Sequence, residues 1–188
     1  KTALQQMGIQ TAPFAPVSSQ ADLQAAIQKI GLPGVLKTCT MGYDGKGQWK
    51  LKEDRHPGEG RDPRQAAYSL KDVDASLRWH DNMEYVLEKF IPFEMEISVI
   101  VARGANGEVK CYPPVQNTHK NHILHETIAP APIPAALAKK AEAMAAKIAE
   151  GLKLVGLMAV ERFVIEAPPT LPSPTSGGGK IVVNELAP

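Results

Sequence analysis

The sequence has few cysteines, few aromatic residues and almost no net charge. Two cysteines, Cys39 and Cys111, stand far apart and lack the spacing of a metal site, so we expect free thiols and a cytoplasmic setting. A net charge of +1 gives no broad attraction to nucleic acid or to a membrane surface. No apolar run has transmembrane length, and no signal-peptide pattern is present. The composition therefore disfavours nucleic-acid-binding and membrane classes.

The length of the chain bounds its organisation. A chain of 188 residues is long enough for one large domain or two small lobes. It begins at Lys1 within an apparent helix, and Pro188 directly follows a strand-like run. We therefore expect a fragment of a longer protein.

The segment Val35–Leu51 has the pattern of a strand, a glycine-rich turn and a second strand. Lys37 ends the first strand and Lys46 lies in the turn, so two cations and a run of backbone amides are available to a polyphosphate. The spacing is not that of a P-loop, and no helix follows as a dinucleotide fingerprint requires. A glycine-rich hairpin with solvated lysines therefore remains the simpler interpretation of this segment alone. The glycines of the turn are Gly42, Gly45 and Gly47.

The remaining hydrophobic patterns predict both helices and strands. Helices are expected at 1–7, after the capping pattern Ser19–Asp22, at 72–80 and, most clearly, at 134–151. Strands are expected at 83–91, 94–103, 109–112, 157–165 and 180–186. Segments 53–67 and 167–179 have no apolar period and are expected to be exposed loops.

A polar segment in the second half of the chain contains three histidines, His119, His122 and His125. Zinc is one interpretation of such a cluster. No cysteine or carboxylate stands at a matching spacing, so a segment without metal is favoured.

The last two predicted strands contain acidic residues among apolar ones, Glu161 in one strand and Asn184 with Glu185 in the other. If the strands pair as a hairpin, the two carboxylates lie side by side. Burying them together is costly unless a partner compensates their charge, and Mg²⁺ prefers one or two carboxylates together with phosphate oxygens. Two salt-bridged glutamates are the alternative interpretation.

Several stretches together carry a family resemblance. Their order resembles that of ATP-grasp enzymes, and most closely the 5-(carboxyamino)imidazole ribonucleotide synthase family of purine biosynthesis. The resemblance covers nearly the whole chain apart from the two expected loops, at 54–64 and 167–179. The matching stretches are Lys37–Gln48, Glu96–Arg103, Tyr112–Leu124, Val155–Glu161 and Asn184–Pro188.

The resemblance implies an α+β ATP-grasp fold of two lobes with nucleotide between them, at residues 1–88 and 89–188. Lys37 resembles the lysine at the nucleotide phosphates, and Gly42–Gln48 resembles the mobile loop that folds over them. Glu88–Ile91 resembles the hinge at the adenine, and Glu96 resembles the acid that binds the ribose hydroxyls. The loop positions are Gly42, Tyr43, Asp44, Gly45, Lys46, Gly47 and Gln48, and the hinge positions are Glu88, Lys89, Phe90 and Ile91.

The resemblance also implies a metal site. Glu161, Asn184 and Glu185 resemble the Mg²⁺ ligands, and Lys37 joins the two glutamates as an expected catalytic group. His119 lies where the family keeps polar residues near the phosphates. ATP and Mg²⁺ are the expected cofactors.

The activity implied by the resemblance is that of an ATP-dependent ligase. It carboxylates 5-aminoimidazole ribonucleotide with bicarbonate through carboxyphosphate, in a cytoplasmic enzyme that is a homodimer when complete. The family also has an amino-terminal α/β domain, and a later segment that handles bicarbonate and substrate; neither matches this sequence. Another ATP-grasp ligase, such as a formate-dependent glycinamide ribonucleotide transformylase, and a nucleotide-binding module without turnover are the alternatives.

Overall fold

The computed structural model describes residues 1–39, 47–52, 84–120, 123–165 and 179–187. The chain separates into two compact units. We call Ala12–Phe90 the amino-terminal unit, and Lys1–Thr11 with Ile91–Pro188 the carboxy-terminal unit. Among the described residues, no helix is long and apolar enough to cross a membrane. The helices are α1 (Thr2–Gln6), α2 (Gln20–Ile30) and α3 (Ala135–Gly151), and the strands are β1 (Phe14–Val17), β2 (Gly34–Thr38), β3 (Gln48–Leu51), β4 (Tyr85–Lys89), β5 (Met95–Arg103), β6 (Val109–Cys111), β7 (Val115–Lys120), β8 (Ile123–Ile128), β9 (Gly156–Ile165) and β10 (Lys180–Ala187).

The start of the chain belongs to the carboxy-terminal unit, which differs from the expected division into 1–88 and 89–188. Leu4 and Ile9 are buried in the core of that unit. The Lys1 ammonium donates to the carbonyl of Asn184 at 2.8 Å, and the Val183 amide donates to the Gln10 carbonyl at 3.0 Å. The position of this segment is therefore set by contacts between residues far apart in sequence, which a local sequence pattern cannot reveal.

The amino-terminal unit is a four-stranded antiparallel sheet in the order β1-β4-β2-β3, with α2 on one face. The predicted cap of α2 is present: the Ser19 hydroxyl accepts a hydrogen bond from the Asp22 amide at 3.1 Å. Leu23 and Ile27 of α2 are buried in one cluster with Leu36 of β2 and with Leu87 of β4. Because side chains alternate along a strand, the neighbours of these strand residues lie on the other face of the sheet.

The carboxy-terminal unit is an antiparallel sheet in the order β10-β9-β5-β7-β8, with β6 pairing to the end of β5. Helix α3 covers one face, where Ala141 and Ile148 pack in one core with Val99 and Val160. The apolar stripe predicted for α3 is therefore core. Strands β5, β6, β9 and β10 and helix α3 follow the predicted segments closely.

Strands β7 and β8 were not predicted. Their sequences, Val115–Lys120 and Ile123–Ile128, show little alternation because β8 is exposed along its whole length and β7 is only half-buried. Strands without a fully buried face lack the hydrophobic signal of a strand that buries one side. The helix expected at 72–80, the loop expected at 53–67 and nearly all of the loop expected at 167–179 lie outside the described residues.

Candidate nucleotide and metal site

The amino-terminal unit places a lysine against a buried glutamate. Lys37 Nζ lies 3.3 Å from Glu88 Oε2, and the glutamate side chain is 6% exposed. Val35 of β2 pairs directly with Glu88 of β4, so Lys37, two residues along, shares its face of the sheet. This is the face away from α2. Two residues predicted for the nucleotide site are thus brought together, 51 positions apart in sequence.

The predicted glycine loop is described only at its end. Gln48 is exposed and pairs with Lys37 across β2 and β3, which puts its side chain on the same face. Gly47 has φ 78°, and a Cβ there would come within 2.5 Å of the Thr38 hydroxyl, so this position favours glycine. The predicted site residues Gly42, Tyr43, Asp44, Gly45 and Lys46 lie outside the described residues.

The predicted hinge, Glu88–Ile91, is partly committed to internal hydrogen bonds. The Lys89 amide donates to the Pro13 carbonyl at 2.8 Å, and the Phe90 amide donates to the Pro33 carbonyl at 3.0 Å. The Lys89 ammonium donates to the Leu32 carbonyl at 2.9 Å. These hydrogen bonds occupy two backbone amides and one side chain of the segment that the resemblance places at the adenine.

The face of the carboxy-terminal sheet opposite α3 carries several polar residues beside apolar ones such as Ile100, and we call it the polar face. Glu96 projects from β5 on this side, because its neighbour Ile97 is fully buried on the other. His119 of β7 reaches the same place, with Nδ1 2.6 Å from Glu96 Oε2. The expected ribose acid and the expected polar residue near the phosphates therefore form one hydrogen-bonded pair.

The two predicted metal carboxylates lie directly opposite each other. Glu161 of β9 pairs with Glu185 of β10 in the antiparallel ladder, so both side chains project from one face. A register shift between Val183 and Glu185 inserts Asn184 as a bulge beside them. Two carboxylates and an adjacent amide oxygen form a donor set suited to Mg²⁺, whose remaining positions phosphate oxygens and water would fill. The residues present therefore fit the metal that the sequence implied.

The histidine-rich segment does not form a metal centre among the described residues. No group of three or more histidine, cysteine, aspartate or glutamate side chains in that part of the chain could hold a metal ion. His125 Nε2 lies 2.8 Å from Lys120 Nζ, whereas His119 contacts Glu96. His122 lies outside the described residues.

A group of neutral polar residues on the polar face was not predicted from the sequence. Ser98 of β5 is 7% exposed and lies opposite Glu161 in the ladder. Asn117 Nδ2 donates to Ser98 Oγ at 2.9 Å, and Thr127 Oγ1 donates to Asn117 Oδ1 at 3.1 Å. The alternation along β5 already predicted that Ser98 lies on the same side of the strand as Glu96, and this could have marked it as a site residue.

A charged group also lies on the apolar face. Arg162 is 1% exposed, and among the described residues its Nε and Nη2 atoms have no hydrogen-bond partner. Burial lowers the pKa of Arg162 to about 10, and the nearby Cys111 thiol acts in the opposite direction. Burial, and then the charge of Glu142, raise the pKa of Cys111.

The two cysteines are free thiols, as predicted. Cys39 is exposed and follows β2 directly. Partial burial raises the pKa of Cys39, and the negative charges of Glu84 and Glu88 act in the same direction. Neither thiol is therefore activated as a nucleophile.

Comparison with known proteins identifies the family. A model described as an ATP-grasp domain matches residues 2–188. The chain belongs to the ATP-grasp family, the class that the two antiparallel sheets and the paired carboxylates indicate. The predicted α+β fold of this family is thereby confirmed.

Three similar proteins have closely related names. N5-carboxyaminoimidazole ribonucleotide synthase of Bacillus subtilis is 38% identical, over 100% of this chain and 42% of the relative. A solved N5-carboxyaminoimidazole ribonucleotide synthetase in complex with ADP is 40% identical, with a TM-score of 0.78, over 100% of this chain and 42% of that one. The N5-carboxyaminoimidazole synthetase of Staphylococcus aureus, solved in complex with ADP, is 29% identical, with a TM-score of 0.75. The match covers 100% of this chain and 43% of that one. The chain thus spans less than half the length of the relatives it matches.

Proposed function

We propose that the protein containing this chain carboxylates 5-aminoimidazole ribonucleotide with bicarbonate and ATP, as a ligase of purine biosynthesis. Support comes from family membership and from similarity to synthases of that name along the whole chain. The observation that carries the proposal is the direct pairing of Glu161 with Glu185, beside the bulge at Asn184. A nucleotide-binding module without turnover has less need of two apposed carboxylates.

ATP is the proposed nucleotide, and each unit, taken by itself, has groups suited to part of it. In the amino-terminal unit, Lys37 would contact phosphate oxygens, and Glu88, its 3.3 Å partner, would contact the adenine amino group. The hinge contribution falls to Ile91 and to backbone carbonyls, because the amides of Lys89 and Phe90 are already bonded within the unit. The expectation that residues 42–48 contact the phosphates stays a prediction.

In the carboxy-terminal unit, Glu96 would accept hydrogen bonds from the ribose hydroxyls, and His119 would hold that carboxylate in place through their 2.6 Å contact. Glu161, Asn184 and Glu185 would hold Mg²⁺ through their side-chain oxygens. When bound, the metal neutralises phosphate charge and keeps the γ-phosphate in line for attack. Glu161 and Glu185 would therefore affect the reaction through the cation that they hold.

The proposed chemistry has two steps. A bicarbonate oxygen attacks the γ-phosphorus and the bond to the β-γ bridging oxygen breaks, which gives carboxyphosphate and ADP. The exocyclic amine of the substrate then attacks the carboxyl carbon, the C–O bond to phosphate breaks, and the amine proton is lost. Lys37 would stabilise the charge that develops on the phosphate oxygens in the first step.

Assembly and setting are further parts of the proposal. We propose a homodimer for the complete protein, in line with the family resemblance. A cytoplasmic setting accords with the two free thiols. Size-exclusion chromatography with light scattering, run on the intact protein, tests the dimer.

A coupled assay tests the activity. The intact protein is supplied with Mg²⁺-ATP, radiolabelled bicarbonate and 5-aminoimidazole ribonucleotide, and acid-labile carboxylated product and ADP are both measured. We expect ADP release to depend on bicarbonate and to rise with the ribonucleotide. Parallel reactions with formate and glycinamide ribonucleotide serve as controls. Turnover only in the formate reactions, or nucleotide binding without turnover in any, would contradict the proposal.

A further inference from the structure

The bulge in β10 determines where two of the proposed metal ligands lie. Val183 pairs with Arg162 and Glu185 pairs with the next residue, Glu161, so Asn184 is inserted between two consecutive positions of β9. An inserted residue disrupts the ladder locally, so the ladder alone determines the register there less strongly. A slip of one residue would turn Glu185 to the other face of the sheet, away from Glu161. The position of the ligands therefore depends on what holds the bulge in place.

The first residues of the chain lie along the outer edge of β10. In the described part of the chain, β10 is an edge strand of the carboxy-terminal sheet, with β9 on its other side. Thr11 forms a parallel bridge with Val183, and the Val183 amide donates to the Gln10 carbonyl at 3.0 Å. Leu4 anchors the same segment in the core. The edge strand is thus held by the start of the chain up to the residue before the bulge.

Lys1 contacts the bulge residue itself. Its side-chain ammonium, which is partly buried, donates to the backbone carbonyl of Asn184 at 2.8 Å. A hydrogen bond from an ionised donor is stronger than one between neutral groups. The backbone of Lys1 is fixed in turn, because its carbonyl accepts a hydrogen bond from the Gln5 amide at 3.0 Å. The contact restrains the backbone of the bulge, and with it the directions in which Asn184 and Glu185 project.

We infer that Lys1 is a positioning residue for the metal site. The inference rests on the proposed function, in which Asn184 and Glu185 are magnesium ligands. Lys1 acts through the backbone of Asn184 rather than by contact with the metal or the nucleotide. Outer groups that orient metal ligands contribute roughly 10-fold to 100-fold in metal affinity.

Calorimetry of ADP binding to the intact protein, with Mg²⁺ and with EDTA, tests the inference without turnover. In Lys1→Met, which keeps most of the side-chain length but has no donor, we expect the gain in ADP affinity from Mg²⁺ to fall by roughly 10-fold. ADP affinity in EDTA should remain at the wild-type value. Lys1→Arg should recover most of the gain, because it keeps a charged donor. An equal fall in ADP affinity with Mg²⁺ and with EDTA would show direct contact with the nucleotide or a general structural defect, and would overturn the inference.

Two further variants provide a control and a second arm. Lys140→Met removes the same charge from an exposed position of α3, on the opposite side of the sheet from the polar face, and should leave the magnesium-dependent gain unchanged. Lys1→Gln is shorter and uncharged, so it should lose the gain as Lys1→Met does, and it decides if Lys1→Met does not fold. A wild-type gain in whichever of the two folds, with a native melting temperature, overturns the inference alone. A wild-type protein whose ADP affinity does not rise with Mg²⁺ would overturn the proposed magnesium site together with the inference.

Discussion

Glu161 and Glu185 pair across β9 and β10 as direct neighbours on the polar face of the carboxy-terminal sheet. Like charges directly opposite in a ladder repel, so the two carboxylates need partners that compensate their charge, and a cation bound by both would be one such partner. The bulge at Asn184 brings a third oxygen ligand to the same place. The geometry thus explains why acidic residues stand in two otherwise apolar strands.

Replacing either carboxylate by its amide should abolish magnesium-dependent ATP cleavage. In Glu161→Gln and Glu185→Gln the metal loses an anionic ligand, while the amide has nearly the shape of the carboxylate and should leave the fold intact without metal. ATPase assays and thermal melts in EDTA measure the two effects. Glu108→Gln is the matched control, since that glutamate is exposed and pairs with Lys110. Near-normal ATPase activity in both variants would show that the two glutamates are not metal ligands.

Lys37→Met should lower both nucleotide affinity and stability. It removes a partner from Glu88, a carboxylate with 6% of its side chain exposed, at a cost of about 1–3 kcal/mol. Adding Glu88→Gln should recover most of the free energy of unfolding, because the buried charge is then absent, but not the nucleotide affinity. Urea denaturation and nucleotide titration of the single and double variants separate the two roles. Recovery of affinity in the double variant would show that Lys37 acts only through Glu88.

The sequence predicted the parts of the fold that have a repeating hydrophobic pattern. Helix α3 and strands β5 and β9 each bury one face, so the spacing of their apolar residues predicted them. The opposition of Glu161 and Glu185 followed from pairing two such strands. The position of the first residues could not be predicted, because it depends on long-range contacts such as that between Lys1 and Asn184.

From the residues alone, the candidate site was predictable only where a charged residue stands in or at the end of an apolar strand. Lys37, Glu161 and Glu185 were predicted in this way, whereas Glu96 was expected only from the family resemblance. Ser98 and Asn117 are neutral residue types common in sequences, and only the folded structure shows their 2.9 Å hydrogen bond between β7 and β5. The sequence also does not show that the Lys89 and Phe90 amides donate hydrogen bonds to the carbonyls of Pro13 and Pro33, because these bonds depend on how the strands pair.

Two histidines of one segment should behave differently. His119 contacts Glu96 at 2.6 Å, whereas His125 contacts Lys120. We expect His119→Ala to raise the KM for ATP several-fold, because Glu96 loses the group that orients it, and Glu96→Ala to raise it by about 10-fold or more, equivalent to about 1.4 kcal/mol. His125→Ala is the control and should keep the wild-type KM. Equal effects of the two histidine variants would indicate a general disturbance of β7 and β8.

Arg162 provides a test of core energetics apart from the nucleotide site. It is 1% exposed on the apolar face, and within the described part of the chain its Nε and Nη2 have no partner. Replacement of such a buried cation by an apolar side chain of similar size is often stabilising by about 1–4 kcal/mol. We therefore expect Arg162→Met to raise the free energy of unfolding in urea. Arg103→Met is the control and should be destabilising, because Arg103 donates to the Leu154 carbonyl at 2.9 Å.

The gain from Arg162→Met should also depend on pH in a defined direction. Burial lowers the pKa of Arg162 from its ordinary value to about 10, so the unfolded chain holds this proton more tightly than the folded protein. The destabilisation of wild type is then fully present below about pH 10 and is relieved as the pH rises above that value. The stability difference between Arg162→Met and wild type should therefore be constant from pH 7 to 9 and narrow above pH 10, as measured by urea denaturation at each pH. A difference that widens above pH 10, or a variant less stable than wild type at pH 7, would show that the guanidinium is stabilising where it lies.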